Sequence, residues 1–456
     1  MFSTVLKITE VPMLRKISLS AVAVSMLASL VCAEDIKVDF DGKKGQDLSA
    51  RIAGIEVAAP VAAQDKGLFM DWLTGKKPAK AMAEWTIMVF SSAKNDLEPF
   101  LLKDLNEMEM VGSNAKVNIV AEVGRIDGYD DTDGDWKGVR RYLITKDNDT
   151  GKMGSKMLQD MGMTDMGDYR NLAAFGKWAK QNYPAKKYML IVSNHGSGWE
   201  KGLARIRVNK GISYDEQSGN HINTPQLGLA LKAIGKLDVF GTDACLMQMA
   251  EVVYEIKDSV DYIVGSEETE PGDGYTYNTF LGPVAAKPAM TPMEMGKQAV
   301  NAYADHYDGI DQGHTQSLAR ASSVNKLLTV TNAFTDAVIA SGDKALAKSA
   351  RDAAISFAME ENHDLYDFTR RVVEGSKSAD VKVKGQALMN FITGELVLLN
   401  RARNDKGSYW SGPKEYTLSR GMAAYFPNGA LGAGYADLAW AKASRWDEFV
   451  TWINQP

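Results

Sequence analysis

Cysteine is almost absent from this chain: among 456 residues there are two, Cys32 and Cys245. One falls in a stretch read below as a removable leader, so a disulfide framework is excluded. Histidine is equally scarce. The five are His195, His221, His306, His314 and His363, and none is spaced from another like a pair of metal ligands. There is no basic excess, the formal charge being −6, so nothing points to nucleic acid as a partner. After the leader no apolar run approaches the roughly 20 residues of a membrane span, and none is expected. No repeat appears at solenoid periods. What remains is ordinary globular composition, 45% hydrophobic and 24% charged, which excludes disorder as the dominant state.

The N-terminus bears on the compartment. Arg15 and Lys16 precede an apolar stretch that ends in Val31-Cys32-Ala33. Basic flank, short apolar region and small residue at the cut describe a secretory signal over 1–33, cleaved after Ala33. A lipoprotein anchored through Cys32 would want a small residue where Val31 stands. The chain is therefore expected to be exported, to a bacterial periplasm or the medium. Cys245 is then the only thiol left, either a buried small hydrophobe or a group with a task.

Residues 34–84 read as an N-terminal extension or pro-segment. From 84 onward short apolar runs (84–90, 116–123, 138–145, 187–193, 237–241 and 261–267) alternate with amphipathic helical patterns. The helix expected near 224 has Thr224 as its cap, Pro225 at the first position, and Leu227, Ala230, Leu231 and Ile234 on one face. Such alternation predicts an α/β fold, a mostly parallel sheet covered by helices on both faces. Ligands of such sheets bind outside the carboxyl ends of the strands, which singles out the segments after Ser193, Gly241 and Val264. A second capping box, Thr291 with Glu294, opens a region of long helical patterns at 323–341, 345–361 and 379–402, with one late strand at 421–427. The division is 85–285 as the sheet domain and 286–456 as a mainly helical elaboration packed on it.

Two strand ends carry reactive side chains. His195 lies on the glycine-rich turn Asn194-His195-Gly196-Ser197-Gly198, where close backbone approach and exposed N–H groups are affordable. Cys245 follows the next apolar run, just before an expected helix from 245 whose positive end would favour the thiolate. Adjacent parallel strands would bring the two together as a nucleophile and its acid–base partner. His195 precedes Cys245 by 50 residues, the caspase-type spacing, although the surrounding Asp243-Ala244-Cys245-Leu246-Met247 departs from the caspase signature.

With those residues in place, the chain resembles the clostripain-type cysteine peptidases of the caspase-like clan. The stretches that carry the resemblance are 85–100, 165–199, 211–216, 237–256 and 262–281, with a weaker one at 421–427. The resemblance implies a caspase-like three-layer sandwich with His195 and Cys245 as catalytic dyad. It also implies an oxyanion site at the N–H groups of Gly196 and Cys245, and Asp243 as the acid that holds an Arg or Lys P1 side chain. Asp243 as a plain turn aspartate remains the alternative. Family members are often zymogens cut between the histidine and the cysteine; Lys210, where the family-like pattern resumes, is the expected processing site. The implied activity is endopeptidase cleavage after Arg or Lys in peptide and protein substrates, by a chain expected to be a monomer.

Some clostripain-type enzymes need calcium, and the acidic stretch 127–136 invites that reading; its spacing, however, does not fit an EF-hand loop. No cofactor is otherwise expected. Two other functions stay open: an inactive caspase-like binding module, and a serine esterase using the His-Gly-Ser-Gly turn, for which no nucleophile elbow is present.

Overall fold

A computed structural model of the chain describes residues 82–199, 211–407 and 412–456. The signal sequence, nearly all of the extension and Lys210 lie outside the described residues. At the centre is a nine-stranded sheet in the order β12-β10-β9-β8-β5-β1-β2-β3-β4. Its middle is parallel: β2 (Val117–Arg125), β1 (Ala83–Ala93), β5 (Ala185–Ser193), β8 (Leu237–Asp243) and β9 (Val260–Gly265). Antiparallel strands complete both flanks, β3 (Gly138–Leu143) and β4 (Met157–Gly162) on one side, β10 (His314–Arg320) and β12 (Val397–Arg403) on the other.

The five parallel strands are built around the short apolar runs of the sequence, as expected of strands covered on both faces. Along β1 the side chains divide between two cores: Trp85, Ile87 and Val89 enter one, Met88 and Phe90 the other. The first core is roofed by α1 (Glu98–Glu109), α5 (Tyr277–Ala286) and α6 (Pro292–Gly309). The second is roofed by α2 (Tyr169–Asn182), α3 (Thr224–Ile234) and α4 (Ala250–Ile256), with α7 (Val324–Ser341), α9 (Leu365–Gly375) and α10 (Ala379–Phe391) continuing it. Between α7 and α9 lies α8 (Lys344–Ala353). This is the expected three-layer sandwich.

Several local expectations shift. The cap of α3 is Asn223, one residue earlier than expected, in a capping box with Gln226; Thr224 is the first helical residue. The box of Thr291 and Glu294 forms as expected. The helix expected over 345–361 stops at Ala353, and the one over 379–402 stops at Phe391. A wide turn, Ile392–Leu396, then feeds β12, which pairs with β10. The region beyond 285 therefore holds the expected helices and also two strands of the central sheet. The late strand is β13 (Ala423–Tyr425), paired with β11 (Asn362–Asp364) and bridged to Met249. Among the described residues, no helix is long and apolar enough to cross a membrane.

Candidate active site

Strands β5 and β8 are neighbours, and their register pairs Ser193 with Asp243. Two residues past each of these stand His195 and Cys245, so both reach the same cavity at the carboxyl edge of the sheet. Their backbones pack against each other. A Cβ added to Gly196 would lie 2.4 Å from the carbonyl oxygen of Cys245, a contact no side chain tolerates. This glycine is what lets the histidine turn approach Cys245.

The expected helix at Cys245 is not there. Cys245 sits on a turn, and α4 begins five residues later, at Ala250. Leu246 takes a left-handed conformation, φ 62°, costly for a branched side chain. Gln248 and Met249 are then drawn into extended pairing with Ala423 of β13. A helix macrodipole therefore does not act on this thiol. Its neighbour is instead the segment after β9: the N–H of Glu270 donates to Sγ at 3.4 Å, and the N–H of Leu246 donates to the Glu268 carbonyl at 3.1 Å. An N–H aimed at sulfur favours the thiolate.

His195 has a carboxylate partner that the sequence did not reveal. Its Nε2 lies 2.7 Å from Oδ1 of Asp96, three residues past the end of β1, the strand on the other side of β5. Burial alone would disfavour the imidazolium, but the Asp96 hydrogen bond and charge, with Cys245 and Glu216 behind them, raise the pKa above the ordinary value. The preceding residue braces the turn: Asn194 donates to the Ser92 carbonyl at 2.5 Å and accepts from the Tyr214 N–H at 2.6 Å. Three consecutive strands thus end in Asp96, His195 and Cys245.

Asp243 faces the same cavity but is heavily bonded. Its Oδ2 accepts from Tyr277 Oη at 2.9 Å and Ser193 Oγ at 3.0 Å, and its Oδ1 from the Tyr275 N–H at 3.0 Å. Gly274, at φ 55°, passes so close that a Cβ there would lie 2.6 Å from Oδ1. Burial pushes the Asp243 carboxyl up while these donors pull it back. Two more carboxyls line the cavity, Asp104 of α1 and Glu270. Both are pushed well above the carboxylate range by burial and by the charge of Asp243. Among the described residues, His195 is the only basic side chain in the cavity wall.

With that geometry established, known proteins can be set beside it. The model of the clostripain family, peptidase family C11, matches residues 89–452. The chain belongs to the clostripain family. Over 235 residues it is 28% identical to clostripain of Hathewaya histolytica; that match spans 47% of this chain and 44% of the relative, less than half of its length. Two solved structures share the fold. One is a secreted C11 cysteine protease from Bacteroides thetaiotaomicron in complex with an irreversible peptide inhibitor: TM-score 0.59, 19% identity, 80% of this chain and 100% of that one. The other is an inactive zymogen C11 protease from Parabacteroides distasonis: TM-score 0.61, 17% identity, 80% of this chain and 98% of that one.

Within this clostripain-family site, sequence reasoning found His195, Gly196, Asp243 and Cys245, and the structure brings all four together. It missed Asp96, Asp104 and Glu270. A signal for Asp96 was available, because β1 also ends at this edge of the sheet. Glu270 lies in the segment after Val264 that the strand-end rule had singled out. The remaining features belong elsewhere. Ser197, the serine of the esterase-like His-Gly-Ser-Gly turn, has its hydroxyl tied to Tyr214 Oη at 2.8 Å and to the Gly211 N–H at 3.1 Å, and is not in the cavity wall. In the acidic stretch, carbonyls of Asp130 and Thr132 accept from Arg125, and Asp127 and Asp135 pair with Lys137. Among the described residues no group of three or more His, Cys, Asp or Glu could hold a metal ion.

Proposed function

We propose that the chain is an exported cysteine endopeptidase that cuts after Arg or Lys, with Cys245 as nucleophile and His195 as acid–base partner. The observation that carries this is the meeting of Asp96, His195 and Cys245 at three neighbouring strand ends, around a cavity whose other charged groups, among the described residues, are carboxyls.

The chemistry follows from the geometry. The Cys245 thiolate adds to the scissile carbonyl carbon, and the oxyanion is held by the N–H groups of Gly196 and Cys245. As the C–N bond breaks, His195 gives its proton to the departing amine, leaving a thioester on Cys245. Water then adds to the thioester, losing a proton to His195, and the C–S bond breaks to release the carboxylic product. Asp96 holds the imidazole in orientation and stabilises its charged form, as the third member of such constellations does. Asp243 places a negative charge in the P1 pocket, where an uncharged or acidic side chain would leave it uncompensated.

Maturation by cleavage between His195 and Cys245, with Lys210 as the preferred bond, fits an enzyme that cuts after basic residues. A zymogen among the structural relatives and a secreted protease beside it support maturation and export. Periplasmic or extracellular action by a monomer completes the reading. The test is cleavage of Arg, Lys, Asp and Leu fluorogenic peptides, with and without calcium, by the chain and by a Cys245→Ala form. An inactive caspase-like binding module predicts no thiol-dependent cleavage of any of them.

A further inference from the structure

Asp243, the acid that resemblance assigns to the P1 pocket, has little left to offer an incoming cation. Both of its oxygens already accept hydrogen bonds from fixed internal donors, Tyr277, Ser193 and the Tyr275 N–H. Asp104 is in the opposite condition. It projects from the buried face of α1 into the same cavity and is 4% exposed, yet among the described residues no group donates a hydrogen bond to it. The adjacent cation is engaged elsewhere: Lys103 lies 2.9 Å from Asp273 and 3.7 Å from Glu107. A buried carboxyl without a partner is costly, and native proteins rarely keep one without a use. Glu270, on the cavity's other wall, accepts from Gln316 at 3.0 Å through Oε1, while its Oε2 has no donor.

We propose that Asp104 is the group that receives the cationic end of the P1 side chain, with Asp243 held beside it as a fixed negative neighbour. This rests on the basic-P1 reading above. Burial and the charge of Asp243 favour the neutral form of Asp104; an arriving guanidinium or ammonium supplies the missing counter-charge and favours the carboxylate, whose proton leaves to solvent. Burial raises the Asp243 carboxyl as well, but the hydrogen bonds from Tyr277, Ser193 and the Tyr275 N–H oppose that rise and favour its ionised form. The division gives the two neighbouring carboxyls distinct roles.

The test compares two peptides that differ only in P1 charge, arginine and its neutral isostere citrulline, on the purified active chain and on Asp104→Asn and Asp104→Glu forms. The readout is the ratio of kcat/KM values for the two peptides. Both meet the same nucleophile, so a general loss of folded enzyme cancels. The ratio should fall by at least roughly tenfold in Asp104→Asn, the scale of one lost hydrogen bond to a charged group, and largely survive in Asp104→Glu. Asp104→Leu, which fills the same space without a polar atom, repeats the comparison if the asparagine form is poorly folded. A high ratio in the unmutated chain that persists in both Asp104→Asn and Asp104→Leu would overturn the proposal and return the role to Asp243 alone. A ratio near one in the unmutated chain would overturn the basic-P1 reading itself.

Discussion

Nε2 of His195 lies 2.7 Å from Oδ1 of Asp96, a contact between residues 99 apart in sequence and one strand apart in the sheet. Asp96 is part exposed, its side chain at 30%, whereas His195 is buried at 6%. The carboxylate thus links a buried imidazole to the surface, and its charge outweighs the burial that would otherwise strip the imidazole of its proton.

An Asp96→Asn form therefore has a signed pH prediction. Without the carboxylate, burial dominates and the His195 pKa drops, so the imidazolium is lost at lower pH. The basic limb of the kcat/KM profile should move toward acid, and kcat should fall by roughly tenfold to a hundredfold, within the range of a perturbed acid–base group. A uniform drop at all pH values would mean that Asp96 only holds the loop.

Tyr277→Phe removes the 2.9 Å hydrogen bond to Asp243. That donor lowers the Asp243 pKa against burial, so its loss raises the pKa and the carboxyl takes up a proton sooner as pH falls. KM for an Arg peptide should rise, most steeply on the acid side, by about tenfold, the scale of a hydrogen bond to a charged group. Steady-state kinetics as a function of pH checks this; an unchanged KM would show that Asp243 contributes nothing to P1 binding.

Gly196→Ala puts a methyl 2.4 Å from the Cys245 carbonyl oxygen. The histidine turn must back away, which displaces the oxyanion donor proposed there. A loss in kcat of about a hundredfold to a thousandfold is expected, as for removal of one such donor, with KM changed less. Circular dichroism of the same sample shows whether the fold persists.

Arg125 and Glu98 form a fully buried ion pair at 2.6 Å, and the same guanidinium gathers the carbonyls of the acidic loop. Arg125→Ala strands a buried carboxyl and should lower stability by about 3–5 kcal/mol. Urea unfolding read at constant slope measures the difference. A change below about 1 kcal/mol would mean that water reaches Glu98.

The parallel core was legible because each of its strands is built around a short apolar run, and the strand-end rule then led to His195 and Cys245. Strand β10 was not legible. Its Thr315, Gln316 and Ser317 are buried but polar, hydrogen-bonded to Ser266, Glu270 and Gln248 from distant segments, so no apolar pattern marks it. Strand β12 is half-buried at the sheet edge and continues directly from a helix, which disguises it as more helix. The helix expected at Cys245 failed for a related reason. Pairing of Gln248 and Met249 with Ala423, more than 170 residues later, overrides the local helical pattern. Asp96 and Asp104 are ordinary carboxylates until the sheet and α1 bring them to the cavity.

The central claim, that Cys245 is the nucleophile of a peptidase specific for basic P1 residues, is tested most directly by one comparison. The chain without residues 1–33 and its Cys245→Ala form are incubated with peptides ending in Arg, Lys, Asp or Leu, and intact mass is followed alongside. The account predicts cleavage after Arg or Lys, and self-cleavage between His195 and Cys245, by the unmutated chain only. Equal cleavage by the Cys245→Ala form, or cleavage confined to Asp or Leu, would contradict it.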